Sequence, residues 1–157
     1  MVTGWFAEFG ELEKPATGGV AYSAADDRFA GATYDPTSHY RAAEVFDFFV
    51  EHRLDPELLR RVSQHQVGRL RQLFDDLDLD PALIDRDREV PLERLGGFLA
   101  LRTPRAAELH AGLAARGVAT DFRGEILRFG PAPYLSERQL EESMAALGAV
   151  CRSVAGG

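Results

Sequence analysis

The chain has 157 residues, 45% of them hydrophobic, and carries a formal net charge of −7 at pH 7. That length makes one domain and excludes a complete enzyme with both a large and a small domain, while the acidic balance argues against a nucleic-acid partner, whose phosphates need clustered Lys and Arg. No apolar run approaches a membrane span, no basic-then-apolar segment opens the chain, and a single cysteine, Cys151, excludes an internal disulfide, which fits a reducing cytoplasm.

In chain order, residues 1–35 read as an extended arm. Trp5, Phe6, Phe9, Val20, Tyr22 and Phe29 are scattered among Gly, Ala and acidic residues without a sustained period, so the arm carries aromatic bulk it cannot bury alone and is expected to pack on another chain. Residues 36–157 read as the domain. From Pro36 or Ser38, the apolar residues Tyr40, Ala43, Val45, Phe46, Phe49 and Val50 predict an amphipathic helix to about His52, capped by Thr37 or Ser38. Asp55-Pro56 opens a second helix whose Leu58, Leu59, Val62, Val67, Leu70, Leu73, Phe74 and Leu77 repeat at threes and fours. Residues 78–94 are charged and irregular, and Gly97 to Leu101 reads as a buried strand. Thr103-Pro104 predicts a helix with Pro at its first position, stopped by Gly117. Val118 to Arg123 and Ile126 to Phe129 read as strands joined by a hairpin turn at Gly124-Glu125. Pro131 and Pro133 end the pairing, and Ser136-x-x-Gln139 opens the last helix with a capping box. The expected fold class is α/β (α+β): two long helices, then a β-α-β-β-α unit whose small sheet is covered by helices on one face.

Four segments carry a resemblance. LRTP at 101–104, RGV at 116–118, DFR at 121–123 and LRFGPAPY at 127–134 resemble the C-terminal small domain of kynureninase and its relatives in the class V aminotransferase and cysteine desulfurase group, which are fold-type I pyridoxal 5'-phosphate (PLP) enzymes. Upstream, GWF at 4–6 is similar to a segment of that family, and RFAGATYDP at 28–36 takes the place of a family loop that reaches a neighbouring active site. The resemblance implies PLP as cofactor and an amino acid as substrate. It implies Arg128 as the arginine receiving the substrate α-carboxylate, a role its planar two-donor fork suits. As a surface strand residue, Arg128 could instead pair with Glu125 or Glu137. Thr33 and Trp5 are implied as contacts to the cofactor phosphate, with Tyr34, Asp35, Ser38 and His39 lining the same pocket; the alternatives are a turn residue for Thr33 and an interface anchor for Trp5. Ala7-Glu8 replace the small residue and histidine usual after the aromatic pair, and the asparagine expected at Thr33 is missing, which counts against kynurenine as substrate.

The lysine inventory is the other informative feature. Lys14 is the single lysine, set in the Gly- and Pro-rich stretch GELEKPATGG. A Schiff-base lysine needs a desolvated or electropositive setting to lower its pKa, and Glu11 and Glu13 act the other way. In the family this lysine lies upstream of the GW segment, and here Met1 stands three residues before Gly4. The expectation is therefore the small subunit of a split, heteromeric PLP enzyme, in which a separate PLP-domain chain supplies the lysine and shares the cofactor. A kynureninase-like lyase or hydrolase is favoured over an aminotransferase or desulfurase; the competing reading is a non-catalytic binding or scaffolding protein. His65 reads as solvated and Cys151 as packed, so neither is a nucleophile or base. Asp76, Asp78 and Asp80 have the spacing of a calcium loop, but Pro81 stands where its glycine belongs, and no metal is expected.

Overall fold

Capping chemistry and apolar periodicity set the helices of this chain, seen here in a computed structural model that describes residues 26–29, 31 and 35–156. Trp5, Lys14, Thr33 and Tyr34 lie outside the described residues. The chain divides into two compact units, Met1–Arg53 and Leu54–Gly157.

The first unit contains a 3-10 turn at Asp26–Phe29 and the helix α1, Thr37–Glu51. The side chain that ties its start is neither Thr37 nor Ser38. Asp35 Oδ1 accepts from the backbone N–H of Thr37 at 2.9 Å and from its hydroxyl at 2.7 Å, bonds that hold the Asp35 carboxyl below the usual carboxylate range. The threonine hydroxyl is thus spent as a donor to Asp35. The helix has the expected apolar residues but none is buried; Tyr40, Phe46 and Val50 are 71%, 66% and 78% exposed.

In the second unit α2, Pro56–Asp76, starts where the sequence places it: Asp55 accepts from Leu58 N–H at 2.6 Å and Pro56 opens the first turn, where its missing N–H costs nothing. Its core-facing stripe is Val67, Leu70 and Phe74. Then follow β1 (Asp85–Arg86), β2 (Leu99–Arg102), α3 (Ala106–Ala114), β3 (Asp121–Arg123), β4 (Ile126–Phe129) and α4 (Glu137–Ala155). The strands form one antiparallel sheet in the order β1-β2-β4-β3. The expected order of elements is present, including the capping box of Ser136 and Gln139 at the start of α4.

Three details differ from the sequence reading. The charged stretch 78–94 contains β1, which is held at the sheet edge by an ion pair rather than by apolar alternation: Arg86 donates through Nε to one oxygen of Asp75 at 2.9 Å and through Nη2 to the other at 2.5 Å. Strand β2 is buried on one side only, Leu99 and Leu101 inward, Ala100 and Arg102 outward. Pro104 lies ahead of α3 rather than in its first turn, because the Thr103 hydroxyl accepts from Arg105 N–H at 3.1 Å and closes a turn over it.

Leu99, Leu101, Leu127 and Phe129 of the sheet pack with Leu70, Phe74, Leu109, Leu113, Leu140, Met144 and Leu147 of α2, α3 and α4. Each such side chain contributes about 1.5–3 kcal/mol on burial. Helices α2, α3 and α4 therefore cover one face, and none of these three lies on the other. Arg60 on α2 donates to the carbonyls of Leu95 at 3.0 Å and Glu93 at 2.7 Å, fixing the approach to β2, while Gln66 Nε2 donates to Ala132 and Leu135 at 3.0 and 3.2 Å, fixing the exit from β4. Among the described residues no helix is long and apolar enough to cross a membrane.

Candidate functional site

Strand alternation decides where Arg128 goes. Leu127 and Phe129 are 0% and 4% exposed in the core, so Arg128 and Ile126 must project from the open face. The two-residue link Gly124-Glu125, with Gly124 at φ 54°, closes the β3–β4 hairpin so that Arg123 faces Ile126 and Asp121 faces Arg128. On the other side β2 places Ala100 opposite Arg128 and Arg102 opposite Ile126.

Asp121 forms the ion pair with Arg128, through the guanidinium Nη2. Neither alternative partner is used; Glu137 instead meets His65 and lies 3.4 Å from Arg69 Nε. The ring of Phe98 takes a further position beside the guanidinium, its centroid 5.3 Å from Arg128 Cζ. The Arg128 side chain is 22% exposed and that of Asp121 60%. Nε and Nη1 of Arg128 make no other hydrogen bond among the described residues, so the guanidinium keeps donors for a second anion.

The surroundings carry both signs. Arg102 and Arg123 stand on the same face in one cross-strand row with Ile126 between them, and neither has an ion-pair partner among the described residues. Asp85, at the end of that row, is occupied by Arg88, whose guanidinium holds its carboxyl below the usual range. Beside Arg102 an open hollow of about 820 Å³ is lined by Ala100, Ile126, Asp85 and Arg88 among others. The wall of this hollow mixes signs, with Arg86, Arg88 and Arg102 beside Asp85, Asp87, Glu89 and Glu125.

Trp5, Thr33 and Tyr34 fall outside the described residues; Asp35 serves the start of α1, on which Ser38 and His39 lie. His65 is exposed but paired with Glu137 rather than simply solvated. Cys151 is fully buried, and burial pushes its thiol up to about 11. Among the described residues there is no group of His, Cys, Asp and Glu that could hold a metal, and there is no lysine to bond PLP. The described residues thus offer guanidinium donors to an anionic group and no amine for a covalent bond to PLP. Asp121 and Phe98 were not among the residues expected at the site. The signal for Asp121 was present: a two-residue turn at Gly124-Glu125 forces residues 121 and 128 into register.

A small antiparallel sheet with helices α2, α3 and α4 on one face and Arg128 on the other defines a mixed α/β small domain. Residues 79–147 match the family model of the kynureninase C-terminal domain. That segment holds all four strands, α3 and the first part of α4, and with them Phe98, Asp121 and Arg128. That segment is therefore similar to the C-terminal domain of kynureninase, a family that is PLP-dependent. No curated protein matches the chain.

Proposed function

We propose that this chain is the small subunit of a heteromeric PLP-dependent enzyme acting on an amino acid, with Arg128 as the receptor of the substrate carboxylate. The observation that carries the reading is the place of Arg128, on the helix-free face of the sheet and inside the segment that matches the kynureninase C-terminal domain. PLP, when bound, supplies the electron sink for chemistry at the amino-acid carbons. This chain supplies orientation: a guanidinium anchored on a strand fixes the carboxylate, and with it the direction of the bonds at the substrate α-carbon. Proton transfer is assigned in this reading to the partner chain.

A separate PLP-domain chain is the source of the lysine in this reading, supported by the acidic neighbours of Lys14, the chain's single lysine. Trp5, Thr33 and Tyr34 are proposed to reach the cofactor phosphate of a neighbouring protomer. A kynureninase-like lyase or hydrolase is favoured. A desulfurase that used Cys151 would need an exposed, acidic thiol, and this one is buried with a raised pKa. The single cysteine supports a cytoplasmic setting.

The test is reconstitution. The chain is purified alone and together with a candidate PLP-domain chain, and cofactor absorbance and turnover are followed. Cofactor and activity should appear only with the partner, and Arg128→Ala should raise KM while leaving cofactor loading intact. Covalent PLP on this chain alone would overturn the assignment of the lysine, and unchanged kinetics in Arg128→Ala would remove that residue from the site.

A further inference from the structure

We infer that Asp121 is a positioning residue for Arg128, holding the guanidinium ready for an incoming carboxylate rather than competing with it; this rests on the reading of Arg128 as a carboxylate receptor. The hairpin leaves Asp121 no choice of neighbour. A two-residue link pairs Arg123 with Ile126, so the carboxylate of Asp121 is set directly across from Arg128 on the open face. Among the described residues Arg123, a diagonal neighbour of Arg128 on the same face, takes no ion pair, and Arg128 is the ion-pair partner of Asp121.

Orientation and competition make different demands on geometry. A competitor would have to occupy the two-donor edge that a free carboxylate uses. Asp121 meets Nη2, which carries one hydrogen on each of the two donor edges, so a single contact there leaves one edge whole, with Nε and Nη1 unengaged among the described residues and Phe98 beside the group at 5.3 Å. Exposure points the same way. Asp121 is 60% exposed and Arg128 22%, so the aspartate stays hydrated and its repulsion of a second carboxylate is screened, while the arginine loses the freedom of a long flexible side chain. Arg102 and Arg123, lacking such a partner, are left as the mobile cations of the face.

Sodium acetate is the probe. The full-length chain labelled with nitrogen-15 is titrated at constant ionic strength, following the arginine Nε–H resonances, with Arg128→Ala identifying the relevant signal. The wild type should show a saturable shift of the Arg128 resonance, and Asp121→Ala should bind acetate about tenfold more weakly, the scale of one lost charge-assisted contact. Asp121→Asn keeps the shape without the charge and should fall on the same side, with urea unfolding midpoints unchanged in both variants. Equal or tighter acetate binding in Asp121→Ala overturns the inference alone. A wild-type chain whose Arg128 resonance does not respond overturns the carboxylate-receptor reading and the inference with it.

Discussion

Leu127 and Arg128 are consecutive on β4 and face opposite sides of the sheet: Leu127 is 0% exposed in the core, and Arg128 meets Asp121 on the side without helices. One strand therefore turns one side chain into the core and the next away from it across a single peptide bond. Core packing against α2, α3 and α4 fixes the inward residues, and that fixes where the outward ones must stand.

This separation can be measured with two neighbouring substitutions. Leu127→Ala removes a fully buried side chain and should destabilise the fold by about 3 kcal/mol in urea unfolding, the usual cost of a core Leu to Ala change. Arg128→Ala should cost about 1 kcal/mol or less, since it gives up one partly exposed ion pair, yet raise KM of the reconstituted enzyme. A large stability loss in Arg128→Ala would mean that the arginine is a structural brace.

Much of this was legible beforehand, and the exceptions have physical causes. The caps at Asp55 and Ser136 and the glycine turn at 124 act through nearest neighbours in sequence, so α2, α4 and the β3–β4 hairpin follow from local chemistry. β1 was missed because Asp85 and Arg86 carry no apolar alternation; the strand exists because Arg86 reaches Asp75, eleven residues back in the chain. The partner of Arg128 was misassigned because the sequence search favoured adjacent or capping carboxylates, Glu125 and Glu137, over the cross-strand position that register dictates.

The same edge gives a pH dependence. The Arg86 guanidinium bonded to Asp75 holds that carboxyl below its ordinary range, and Arg88 does the same for Asp85. A depressed carboxyl contributes stability that is fully present above the unfolded pKa and lost as pH falls through the folded one. At neutral pH Asp75→Asn should cost about 0.5–1 kcal/mol, a figure kept small because the Asp75 side chain is 38% exposed and screened. The gap from wild type should close as pH drops below about 4. Urea unfolding of both proteins across that range checks it, and a gap that widened in acid would contradict the direction of the shift.

Gly112 on α3 marks the closest approach to α4. A Cβ there would lie 2.7 Å from Val150 Cγ1 and 3.3 Å from Cγ2. Helix propensity alone would favour alanine by about 1 kcal/mol. Overpacking a core against a β-branched side chain with one preferred rotamer costs about 1–3 kcal/mol, so the clash should win and Gly112→Ala should be net destabilising. Adding Val150→Ala removes the obstruction. The double variant should be more stable than the sum of the two single changes, and strict additivity in a thermal or urea cycle would show that the helices do not meet here.

Cys151 tests the packing of α4 by chemistry rather than by stability. The thiol is 0% exposed, and burial raises it to about 11, outweighing the favourable charge of Arg152. At pH 8 only about one thiol in a thousand would ionise at that value, and the thiolate is the reactive form. Labelling with a disulfide reagent should therefore be slow in native buffer and become complete in urea, with the native rate rising as Leu127→Ala or Gly112→Ala makes opening easier. Cys151→Ala should leave turnover of the reconstituted enzyme unchanged, because a thiol on the buried side of α4 cannot take part in chemistry on the opposite face of the sheet. Rapid stoichiometric labelling of the native chain, or loss of turnover in Cys151→Ala with cofactor loading intact, would return this cysteine to the list of candidate nucleophiles.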